Sequence, residues 1–152
     1  MKAVAFSVKP FEKEYLAKAN QKKHDITLIS NPLGIDTAVY AEGKNAVIVT
    51  EDDDLSAPVA EQLAALGIQF IVTRSAGTGH VDKTALTGHG IKIANIPNYP
   101  PGGPLLTNEA LQEIADQTIK SLDLWSLNKC VGQACVCAND CNKTTPQKTV
   151  QP

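Results

Sequence analysis

Residues 74–111 run RSAGTGHVDKTALTGHGIKIANIPNYPPGGPLLTNEAL. This stretch follows FIVT (70–73), a short apolar, β-branched run of the kind that forms a buried strand. A glycine loop comes next, then DKTALTGHG (82–90), long enough for a short helix closed by Gly88 or Gly90. IKIANI (91–96) returns to strand character. Strand, loop, helix, strand is a βαβ unit, which puts both strands in one parallel sheet.

The same alternation extends upstream. KAVAF (2–6), ITLI (26–29) and AVIV (46–49) are three further strand candidates. Several of the runs are continuously apolar, as strands covered on both faces must be. PFEKEYLAKANQKK (10–23) and SAPVAEQLAALG (56–67) read as helices, with Ser56 a candidate N-cap and Gly67 a candidate stop. DTAVYAEG (36–43) holds one or two turns at most. The pattern predicts a doubly wound α/β domain around five parallel strands. Downstream, Leu111, Ile114, Ala115, Ile119, Leu122 and Trp125 recur at helical spacing. Thr107 can cap that helix, and Glu109 sits in its first turn, where the macrodipole favours negative charge. From Asn128 the period stops, and residues 128–152 read as a tail.

A chain of 152 residues with 43% hydrophobic and 20% charged side chains suits one globular domain. A net charge of −2 argues against a nucleic-acid partner, which would need a basic face. No stretch approaches the 18 apolar residues of a membrane span, and MKAVAFSVKP is too short in its apolar run for a signal peptide. The expectation is a cytoplasmic protein with no membrane partner. Arg74 is the only arginine among 14 basic residues. Arginine is the usual clamp for carboxylate or phosphate, so anion binding here would lean on backbone donors or lysine.

The loop RSAGTGHVD lies where α/β sheets bind ligands, outside the carboxyl end of a strand. Gly77 and Gly79 allow close backbone approach, and successive N–H groups can form an anion-accepting concavity. A tight turn with Asp82 capping the next helix explains the same residues. It is no dinucleotide fingerprint, because Asp82 stands where G-x-G-x-x-G needs its third glycine. Of the three histidines, His80 in the loop is the best acid–base candidate, while His24 and His89 read as surface loop residues. EDDD (51–54) could hold a hard cation but reads as a solvated loop at a helix start. Cys130, Cys135, Cys137 and Cys141 give C-x4-C-x-C-x3-C, neither a standard zinc nor a standard iron–sulfur spacing. Free thiols, disulfides and incidental metal binding stay open for them. No metal site is expected.

FIVTRSAGTGHVDKTALTGHGIKIANIPNYPP, MKAVAFSVKPFEKEYLAKAN and VTEDDDLSAPVAEQLAALGI resemble, in order, the substrate domain of NAD-dependent D-2-hydroxyacid dehydrogenases, the fermentative D-lactate group above all. LLTNEALQEIADQTIKSLDLW resembles their C-terminal helix. The resemblance implies a flavodoxin-like fold over residues 1–127, with 1–101 as its N-terminal segment and 105–127 as a returning helix. In such enzymes a whole NAD-binding domain stands between these parts. Here only Gly102-Gly103-Pro104 does, which reads as a splice, most simply an engineered excision.

The resemblance also implies which residues matter. Ser75, Ala76, Gly77 and Thr78 would offer backbone N–H groups to a substrate carboxylate, with Tyr99 beside them. The family's catalytic arginine and its orienting glutamate would belong to the missing domain. Its acid–base histidine would precede the returning helix, where this chain reads Gly102-Gly103-Pro104-Leu105. His80 matches a non-catalytic position. The resemblance therefore implies a domain without catalytic or cofactor-binding residues of its own. It would bind a small 2-oxo or 2-hydroxy acid weakly, and be monomeric or weakly self-associating. A flavodoxin- or receiver-like binding module is the alternative, though FSVKP after the first strand lacks the acidic pair or phosphate loop that either would need.

Overall fold

The computed structural model describes residues 1–100 and 106–136. The expected splice at 102–104, together with Cys137 and Cys141, lies outside the described residues. Five strands, β1 (Lys2–Ala5), β2 (Asp25–Leu28), β3 (Ala46–Val49), β4 (Phe70–Thr73) and β5 (Lys92–Ala94), form one sheet in the order β2-β1-β3-β4-β5. All four pairings are parallel. The helices are α1 (Glu12–Asn20), α2 (Ala57–Ala65), α3 (Lys83–Gly88) and α4 (Asn108–Ser126). The weak segment at 36–43 is a single 3-10 helix, Ala38–Ala41.

The strand pleat divides the core in two. Val4, Phe6, Val47, Val49, Ile71 and Ile93 face α2, α3 and the 3-10 helix. Ala3, Ala5, Ala46, Ile48, Val72 and Ala94 face the other way, toward α1 and α4. Most of this second row is alanine, which leaves room for Leu16, Ile119, Leu122 and Trp125 to lie close on the sheet. Trp125 stacks on Phe70 with ring centroids 4.8 Å apart. Each fully buried Leu or Ile in these layers contributes about 1.5–3 kcal/mol.

The ends of α4 follow capping chemistry. Thr107 Oγ1 accepts the Ala110 N–H at 3.1 Å, and Glu109 occupies the first turn. At the other end Asn128 takes a left-handed φ of 58°, and the Asn128 and Lys129 N–H groups close back onto the Trp125 and Leu124 carbonyls. That is a Schellman stop with asparagine in the place of glycine. Ser56 does hold the extended N-cap conformation before α2, but its side chain caps nothing. Its N–H donates instead to Asp54 Oδ1 at 2.8 Å.

Two expectations from sequence are corrected. His24 is not a surface loop residue: it is 8% exposed, and its Nε2 lies 2.7 Å from Asp123 Oδ1 on α4. A helix 99 residues further along supplies its partner, which no local pattern could reveal. Within EDDD, Asp53 is 2% exposed rather than solvated. Its carboxylate accepts from the Ser7 hydroxyl at 2.6 Å and from the Leu33 and Thr50 N–H groups at 2.8 Å each. The start of the segment read as tail is also docked. Val131 is buried, Gly132–Ala134 forms a 3-10 turn, and Cys135 pairs antiparallel with Ala94 along the open edge of β5.

Candidate functional site

In the order 2-1-3-4-5 the chain reverses its winding between β1 and β3, and the carboxyl ends of the strands at that point form a natural crevice. A cavity of about 160 Å³ lies there. Ser7 beyond β1, Thr50 beyond β3 and Arg74 beyond β4 line its polar side, with Leu111 and Ile114 of α4 on its apolar side. Tyr99 completes the wall. Arg74 is 5% exposed; its Nη2 donates to the Phe6 carbonyl at 3.2 Å, and its Nε lies 3.3 Å from Glu12 Oε2. The chain's single arginine thus ties the ends of β1 and β4 to α1. Burial raises the Tyr99 hydroxyl pKa, and the charges of Glu51 and Glu12 add to that against the opposing Arg74.

Beside this cavity, Ser75 to Thr78 turn off the end of β4. The Ser75 carbonyl accepts from Ile96 N–H at 3.0 Å, and the Ala76 carbonyl from Asn95 Nδ2 at 2.8 Å. The Gly77 carbonyl accepts from the Ser75 hydroxyl at 2.9 Å. Three successive carbonyls are therefore held by protein groups. In a trans peptide the following N–H points opposite to the carbonyl. The N–H groups of Ala76, Gly77 and Thr78 thus face away from those anchors. Among the described residues, none of the three donates a backbone hydrogen bond. Ser75 is buried, Ala76 and Gly77 are exposed and Thr78 is half-buried.

Other sequence candidates fall elsewhere. Asp82 caps α3 through the Ala85 N–H at 3.0 Å. Its carboxylate occupies the helix start that a dinucleotide pyrophosphate would need, so this loop does not fit NAD. His80 lies behind the loop, its Nε2 3.0 Å from Thr73 Oγ1, and burial lowers its pKa against the opposing Glu51 and Asp53. His89 is exposed, as expected. Among the described residues no three His, Cys, Asp or Glu side chains gather as a metal site, and no helix is long and apolar enough to cross a membrane. Sequence reasoning missed Thr73, Asn95 and the placement of Arg74. Each left a faint signal: a polar residue inside an apolar strand run, or the only arginine of the chain.

The sequence pattern described as "D-isomer specific 2-hydroxyacid dehydrogenase, catalytic domain" matches residues 3–136. The chain belongs to this family, as its catalytic domain. D-lactate dehydrogenase kk1H of Curvularia clavata is 34% identical over 128 residues, covering 81% of this chain and 35% of that protein. D-lactate dehydrogenase of Escherichia coli is 34% identical over 102 residues, covering 66% of this chain and 31% of that protein. The apo structure of the Escherichia coli enzyme superposes with a TM-score of 0.64 at 34% identity, over 66% of this chain and 32% of that one. The Salmonella D-lactate dehydrogenase superposes equally well at 33% identity, over 66% and 31%. This catalytic domain spans about a third of the length of the curated relatives it matches. The flavodoxin-like expectation is met by the strand order, and the family expectation by the match.

Proposed function

We propose that this catalytic domain is the substrate-holding part of an NAD-dependent D-2-hydroxyacid dehydrogenase, with the cofactor domain absent between residues 101 and 105. The observation that carries the reading is the loop at Ser75–Thr78, whose anchored carbonyls leave the N–H groups of Ala76, Gly77 and Thr78 for one small anion. A 2-oxo or 2-hydroxy acid would rest its carboxylate there, with Tyr99 at the edge of the adjoining cavity. The chain spans only 31–35% of the curated relatives it matches, which supports the reading of a domain standing without the rest of the enzyme. The family's arginine, glutamate and histidine have no counterpart in the chain. Removing one oriented polar group from a site typically costs about 10²–10³ in rate, so turnover falls to background when all are missing. The isolated domain is monomeric or self-associates weakly.

Amide NMR with oxamate tests the binding. Saturable shifts confined to residues 76–78 and Tyr99 are the expected result; shifts scattered over the surface, or none, would sink the assignment. NADH-dependent pyruvate reduction by the pure protein would refute the claim of inactivity.

A further inference from the structure

Thr73, Ser75 and His80 form a line whose proton order can be settled by counting. The Ser75 hydroxyl donates to the Gly77 carbonyl at 2.9 Å. Having one proton, Ser75 must accept across its 2.7 Å contact with Thr73 Oγ1. The Thr73 proton is thereby used. The 3.0 Å contact between Thr73 Oγ1 and His80 Nε2 then needs its proton on the histidine. In the reverse order, Ser75 Oγ would face the Gly77 carbonyl with no proton between them. Two oxygen lone pairs would meet in a buried place, because Thr73 is fully buried and Ser75 nearly so.

We propose that His80 is a positioning residue: as an Nε2–H donor it orders the chain His80 to Thr73 to Ser75 to the Gly77 carbonyl, and so fixes the Gly77–Thr78 peptide. The role in substrate binding rests on the reading of this loop as the carboxylate site. The histidine touches no substrate. It holds the carbonyl of one peptide inward so that the Thr78 N–H is presented outward. Burial favours the neutral ring, which leaves Nδ1 as the bare nitrogen.

Long-range proton–nitrogen correlation spectra of the chain read the tautomer directly. At neutral pH the His80 ring should show a protonated Nε2 and an unprotonated Nδ1. Thr73→Val, nearly the same shape in a buried strand, should abolish that preference, move the Thr78 amide resonance and weaken oxamate binding about fivefold, the loss of one ordinary hydrogen bond. Thr73→Ser should restore all three. His80→Gln, which keeps an N–H donor, should retain affinity where His80→Phe loses it, and these variants leave the strand intact. A ring protonated on Nδ1, or a Thr73→Val chain with unchanged tautomer and Thr78 resonance, overturns the proposal. Equal oxamate affinity in Thr73→Val and the parent also overturns it while sparing the carboxylate reading. If oxamate moves nothing anywhere but the tautomer and the Thr78 resonance respond as expected, the positioning stands and the carboxylate reading falls.

Discussion

Asp53 shows how one side chain can hold a strand end. Its carboxylate satisfies the Ser7 hydroxyl and the Leu33 and Thr50 N–H groups, which ties the loops after β1, β2 and β3 together beside the crevice. Asp53→Ala leaves those donors buried and unpaired, and should cost about 3 kcal/mol in urea unfolding. A loss under about 1 kcal/mol would show that water replaces the carboxylate freely. Asp123 makes a different prediction. Burial alone would raise its pKa, but hydrogen bonds from Lys23 and His24, helped by their charge, outweigh it and hold the carboxyl below its usual value. A depressed folded pKa means stability that is present above the unfolded value of about 3.9 and is lost as pH falls through the folded one. Acid unfolding should therefore be blunted in Asp123→Asn, whose stability between neutral pH and about pH 3 should fall less than the parent's. Neither residue was legible in sequence. Asp53 hid inside an acidic run that looked solvated, and Asp123 meets His24 only through the tertiary fold.

At the scale of elements, local chemistry predicts more. The central strand β3 is the most visible, because both of its faces are covered and its apolar run is unbroken. α4 is visible through its helical spacing and its Thr107 cap. Thr107→Ala should lower the melting temperature by a few degrees, through a loss of about 1 kcal/mol. Leu122 sits fully buried over the alanine row of the sheet, and Leu122→Ala should cost about 3 kcal/mol. Calorimetry on both variants would rank them, and a cap loss equal to the core loss would contradict the packing described. What sequence could not place was the segment after Asn128. Its pairing with β5 runs through backbone groups, which carry no residue signature.

Across the whole molecule, the last helix packs on the first. Tyr15 donates to Asn108 at 2.8 Å, Gln112 reaches the Tyr15 carbonyl at 3.2 Å and Lys23 meets Asp123 at 2.8 Å. These partners stand 93 to 100 residues apart in the chain. These contacts fix the α4 side of the joint, and pairing with β4 fixes the β5 side. Polymer statistics give this a consequence. Closing a flexible loop costs only about 0.6 kcal/mol for each doubling of its length. Lengthening the joint about sixteenfold is roughly four doublings, or about 2.4 kcal/mol, less than one buried leucine of α4. A folded insert whose two ends lie side by side would cost less still. On the reading proposed above, the joint is a berth at which such a fold takes aboard or sets down an entire passenger domain while its own sheet scarcely registers the change in cargo.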